Sequence, residues 1–135
     1  MRRLLPLAAL LALTVPGFAD DYVATSKTAM SITGDIRFDD SGITFANGES
    51  LAFSDLVADH FEVDGEDVPA SVYRIAVPAD PELENGNQLC GSGPVTFLAN
   101  WAEGDAGSVI AVFTGRREPT SNAAMCASYS YEIAQ

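Results

Sequence analysis

The chain carries two cysteines, Cys90 and Cys126, one histidine, His60, and nineteen carboxylates. These side chains set the chemistry open to it. There is no CxxC and only one imidazole, so a metal or redox role for the cysteines is disfavoured. In an oxidising compartment each has one possible intramolecular partner, and a Cys90–Cys126 disulfide is expected. Closing residues 90–126 into a loop is worth about 4 kcal/mol on the chain-entropy account. His60 would have to serve any Ser-His-Asp triad, with Ser54, Asp55 and Asp59 as its neighbours in sequence. A triad is a spatial arrangement, and no nucleophile elbow or oxyanion motif accompanies these residues. P-loop, HExxH and dinucleotide fingerprints are absent, so no cofactor is expected.

The carboxylates invite two further readings. Glycoside hydrolysis needs two of them about 5–10 Å apart across a groove. Nineteen acids make chance pairs inevitable, and solvated surface acids are the simpler account. Calcium prefers oxygen-rich turns. Three such turns exist: Asp39-Asp40-Ser41, Asp64-Gly65-Glu66-Asp67, and Asp80 with Glu82 and Glu84. None has the EF-hand spacing, since the sixth position from Asp80 is Asn85 rather than Gly, and no metal site is assigned. The basic pair Arg116-Arg117 is expected to temper local acid repulsion rather than grip a phosphate. Trp101, Tyr129 and Tyr131 have strand spacing. They are expected in a core rather than around a ligand.

The start of the chain constrains where this chemistry operates. Met1-Arg2-Arg3 precedes an apolar run over residues 4–15, and "GFA" places small residues before Asp20. That order reads as a secretory signal, residues 1–19, cleaved after Ala19. Twelve apolar residues are too few for a span, which takes about 20. No later run is long enough either, so no membrane span is expected. Residues 20–135 then form a single domain. The net charge of −12 becomes −14 once Arg2 and Arg3 leave. Such a field repels nucleic acid and anionic lipid, and draws cations or basic proteins.

The elements that would position these residues read as strands. From Met30 to Phe38 apolar residues or Gly alternate with polar ones, predicting a strand with one buried face. Gly34 interrupts that face and marks a bulge or a close backbone approach. A turn at 39–42 sets Phe38 opposite Ile43. At Asn47-Gly48 two registers compete. A three-residue loop, Ala46-Asn47-Gly48, pairs Ile43 with Leu51 and gathers Ile43, Phe45, Leu51 and Phe53 on one face. Burial favours this register over the two-residue hairpin, with Gly48 left-handed. Ser54 is a possible cap for a short helix carrying Leu56 and Val57. Asp64-Gly65 is a turn. A strand at about 70–77 sets Tyr73, Ile75 and Val77 on one face, and Pro78 ends it. Strands follow at 94–101, at 108–114 (apolar on both faces, hence central) and at 125–133. Seven or eight short strands with at most one short helix predict an all-β fold, a small antiparallel barrel or sandwich with one disulfide. The bridge is expected at its rim or outer face.

Residues 72–91, "VYRIAVPADPELENGNQLCG", then "VFTG" with a following Pro119, then "MCASYSYE" at 125–132, resemble a family of small exported bacterial proteins. Their pattern is P-x-L-x-x-G-N-x-L-C-G followed by C-x-x-Y-x-Y. The upstream "TAMSITGDIRF" and "ITFANGESLAF" fit it too, so the resemblance covers most of the chain beyond the signal. It implies export and the Cys90–Cys126 bridge, and it carries over no catalytic or binding residue. A second similarity, in size, export and charge, is to periplasmic lysozyme inhibitors. Their Ser-Gly-x-x-Tyr loop is not matched, because Ser92-Gly93-Pro94-Val95-Thr96 ends in Thr.

These readings order the functions. The first expectation is a periplasmic or secreted, non-enzymatic domain that binds a protein or envelope component through its acidic surface, with loops 39–42, 64–67 and 80–89 as contacts. The second is an inhibitor of a basic cell-wall hydrolase such as lysozyme. The third is a small hydrolase using His60 or a carboxylate pair.

Overall fold

A computed structural model describes residues 20–134; the expected signal segment, residues 1–19, lies outside them. Eight strands follow one another: β1 Asp20–Ala24, β2 Ile36–Asp39, β3 Gly42–Thr44, β4 Ser50–Val63, β5 Glu66–Ala79, β6 Val95–Glu103, β7 Gly107–Phe113 and β8 Ala127–Ile133. Each pairs antiparallel with the next, and β1 closes onto β8 through Tyr22↔Ile133 and Ala24↔Tyr131. The result is a closed up-and-down barrel, the barrel alternative of the expected all-β fold. Closure pairs strands that would otherwise be edges.

The local hairpins follow the residue pattern. Phe38 pairs with Ile43, and Ile43 with Leu51. Phe45 donates its amide to Glu49 O at 2.8 Å, and Gly48 sits at φ 94°. The three-residue loop is therefore the one adopted. It turns Ile43, Phe45 and Leu51 into the barrel, where all three are buried.

Two elements differ from expectation. The predicted strand over 30–38 begins only at Ile36, because Ala29–Thr33 coils into a single π-helical turn. Burial there follows i, i+4 rather than i, i+2: Ala29 and Thr33 are buried while Met30 is exposed. Ser26 Oγ accepts the Ala29 amide, and Gly34 N–H closes on Ala29 O at 2.7 Å. Thr33 Oγ1 lies 2.7 Å from Tyr131 Oη, so a polar residue is satisfied inside the barrel. Gly34 is the close approach that its place in the pattern suggested. A Cβ there would lie 2.5 Å from Ala46 Cβ. The helix considered at Ser54 does not form, since β4 continues through it as strand. Three register shifts between Phe53 and His60 bend β4 there, which breaks the alternation and leaves Leu56 exposed.

β4 and β5 run fourteen residues each, twice the length of β7 or β8. β3 pairs with β4 only as far as Ala52, and β6 pairs with β5 only from Ser71 onward. The far halves of β4 and β5 therefore leave the wall as a hairpin arm. Its Phe61, with Val57, Val63 and Val68, packs on Phe97, Trp101, Val109 and Phe113, making a second core. The first core fills the barrel, where Leu98, Ile110 and Val112 meet Tyr22, Phe38 and Tyr131. Alternate residues of β6 and β7 thus serve opposite cores. This is why residues 108–113 are apolar on both faces, and all six are buried.

β5 also departs late. Arg74 pairs with Phe97 and Ala79 with Val95, so five steps on β5 answer two on β6. Pro78 has no N–H for the ladder, and the intervening residues bulge outward. Tyr73 and Ile75 are buried as expected, but Val77 is 76 % exposed instead of joining them.

Candidate functional site

The acidic 80–91 segment proves to be a staple. Cys90 and Cys126 are disulfide-bonded, with α-carbons 5.7 Å apart. Asp80 accepts the Cys90 and Gly91 amides on its two carboxylate oxygens, each at 2.8 Å. Leu83 and Leu89 are buried against the barrel core. Asn85 and Asn87 donate to Ser31 O, tying the segment to the π-helical turn. Tyr129 Oη donates to Leu89 O. Burial, with the Asp80 charge second, pushes the Tyr129 hydroxyl up to about 12. The bridge lies where β7 ends and β8 begins, with both sulfurs partly buried against the core.

Asp39, Asp40 and Asp64, three of the other carboxylates considered for calcium, are likewise engaged. Asp39 Oδ1 accepts from Ser41 Oγ, Ser41 N and Gly42 N, and the Ser41 hydrogen bonds hold its carboxyl below the usual value. Asp40 accepts from Tyr73 Oη at 2.8 Å; burial first, then this bond, raises Tyr73 to about 12. Asp64 and Asn122 exchange two hydrogen bonds. Among the described residues, no three His, Cys, Asp or Glu side chains gather as a metal-binding group.

His60 is not brought to Ser54, Asp55 or Asp59. Its Nδ1 lies 3.1 Å from Asp67 Oδ1 on the facing strand, and both side chains are largely exposed. Ser54 Oγ instead donates to Asp55, and Asp55 pairs with Arg74. Trp101, Tyr129 and Tyr131 do not meet around a ligand either. Trp101 stacks on Phe61 in the second core, while Tyr129 and Tyr131 belong to the barrel core.

The 64–67 turn, expected as a contact, is the tip of the long distal β4–β5 hairpin. Asp59, Glu62, Asp64, Glu66 and Asp67 crowd nine residues there, all exposed, with His60 as the one basic side chain. The Asp64-Gly65 turn has both residues at positive φ, 52° and 89°, as a two-residue hairpin requires. It sets Val63 opposite Glu66 and Glu62 directly opposite Asp67. A like-charge pair across a ladder is unfavourable. A groove of about 370 Å³ runs between this prong and the loop at 118–120, lined by His60, Glu62, Asp67, Glu118, Pro119 and Thr120. Its walls are fixed. Glu62 N–H donates to Thr120 O at 2.9 Å, and Arg74 holds Glu118 at 3.1 Å. The two-residue turn alone implies the Glu62–Asp67 opposition; the groove needs the loop after β7 to come alongside.

Compared with known protein families, curated proteins and solved structures, the chain matches none.

Proposed function

We propose that the domain is an exported, non-enzymatic binding module that engages a basic protein or envelope component through the acidic β4–β5 prong. The observation that carries this reading is Glu62 opposite Asp67. Folding gains nothing from that opposition, whereas a partner's Lys or Arg set between the two carboxylates relieves it. The prong is held by the stacked Phe61–Trp101 pair beneath it, so little ordering remains to be paid on docking. The wider negative charge speeds encounter with a basic partner. A disulfide suits an oxidising compartment, and no helix among the described residues is long and apolar enough to cross a membrane. The test is capture from an envelope extract by residues 20–135, with salt elution, against a Glu62→Gln/Asp67→Asn variant. A basic protein retained by the native domain and lost by the variant supports the reading. Equal capture by both sinks it.

A second reading makes the partner a basic cell-wall hydrolase such as lysozyme, with the domain as its inhibitor. The exposed carboxylates at the tip of the arm favour it, because they can meet the basic surface of such an enzyme. Inhibition at low salt that fades as salt rises is the expected result.

A further inference from the structure

Arg116 and Arg117 stand against the sign of the whole molecule. They lie exposed in the loop between β7 and β8 and, among the described residues, neither makes an ion pair. Their neighbour Glu118 is already taken by Arg74, which also holds Asp55 and lies 5.2 Å over the Phe97 ring. Among the described residues, neither guanidinium has a carboxylate in contact with it.

Arg116 lines two pockets at once. One, of about 340 Å³, is walled by Ile75, Ala76, Pro78 and Phe97. The other, of about 490 Å³, is walled by Phe113, Pro119 and Ala124 and also takes Arg117. Both are open depressions in the surface rather than enclosed cavities. The floor is anchored: Thr96 Oγ1 bonds Gly115 O at 2.5 Å, and further on Ser121 Oγ accepts the Ala123 amide. On the first side the β5 bulge turns Ala76, Val77 and Pro78 out to solvent. An extruded apolar bulge beside the unneutralised Arg116 guanidinium, with Arg117 in the adjoining pocket, makes an amphipathic saddle. Guanidinium forks match a carboxylate in two parallel hydrogen bonds.

We propose that this saddle binds a single-chain amphiphile with a carboxylate head, the head on Arg116, backed by the charge of Arg117 in the adjoining pocket, and the chain along the Ala76–Pro78 bulge. The ligand is a free monomer rather than a bilayer. The acidic remainder of the domain repels a densely charged anionic membrane surface more strongly than it repels one carboxylate. This site lies outside the prong reading and does not depend on it.

Titration calorimetry of residues 20–135 with laurate below its micellar concentration tests the proposal. Saturable one-to-one binding is expected. Arg116→Gln/Arg117→Gln should weaken it by at least about tenfold, through loss of charge-assisted hydrogen bonds. Ala76→Asn should weaken it through the chain contact, with no change of charge beside Arg116. Both variants alter exposed residues, so unchanged thermal unfolding is expected and separates lost binding from lost fold. Weak binding of acetate and of neutral dodecyl maltoside completes the expected pattern. Absence of laurate binding overturns the proposal. So does equal binding by the arginine variant, or acetate or the maltoside binding as well as laurate. Co-sedimentation with anionic vesicles in place of monomer binding also overturns it.

Discussion

Glu62 faces Asp67 across the β4–β5 ladder, one rung from the Asp64-Gly65 turn, and His60 reaches the same Asp67 from two residues up the strand. Removing one charge should therefore stabilise the fold. Glu62→Gln is expected to raise unfolding free energy by a few tenths of a kcal/mol, roughly the scale of exposed cross-strand pairs. Chemical denaturation at low salt checks this. The gain should vanish in molar salt, where the screening length is about 3 Å. A loss of stability would show that Glu62 has a structural role.

Gly34 is expected to resist replacement. Its φ of 64° disfavours any side chain, and Ala46 occupies the space a Cβ would need. Gly34→Ala should cost about 2–4 kcal/mol, from backbone strain and overpacking together. Gly48 is the control. It also has positive φ, but nothing lies within 4 Å of an added Cβ. Gly48→Ala should cost only about 1 kcal/mol. Equal costs at the two positions would remove the steric explanation.

The disulfide joins the 80–91 segment to the start of β8, and so links the lid of the barrel to its closing strand. Cys90→Ser/Cys126→Ser is expected to lose about 3–4 kcal/mol, measured by denaturant titration without reductant. The 80–91 segment should also exchange its amides faster, since Asp80 alone then holds the Cys90 and Gly91 amides.

Alkali should unfold the domain through its tyrosines. Tyr73 and Tyr129 ionise near 12 in the folded state against 10.0 for the free side chain, and Tyr131 is raised further by burial. A raised folded value means that the unfolded chain releases protons first. The stabilisation is complete below pH 10 and is lost as pH climbs towards 12. Tyrosinate absorbance and circular dichroism followed together should change in one transition within that window. Separate transitions, with ionisation well before unfolding, would contradict the burial of these hydroxyls.

The stretches legible in the sequence are those whose partners lie close by. The 36–53 meander could be read because each register is set by a turn of two or three residues and by one buried face. Alternation misled where a satisfied polar residue is buried: Thr33 goes inside because its hydroxyl finds hydrogen-bond partners in Tyr131 Oη and Ala29 O. It misled again at Val77, where the bulge before Pro78 shifts the period. β1 offers only Tyr22 and Ala24 as inward residues, too few to show a period, and its closing partner is the last strand.

Chain order, turn chemistry and the count of cysteines determined an antiparallel β domain with a Cys90–Cys126 staple, because those features act over a few residues or allow a single pairing. Tertiary structure alone decided that β1 meets β8, that the β4–β5 arm folds back to build a second core, and that the loop after β7 lies beside the prong. These contacts join residues far apart in sequence. Their choice rests on how apolar faces fit together in space, which no local period encodes.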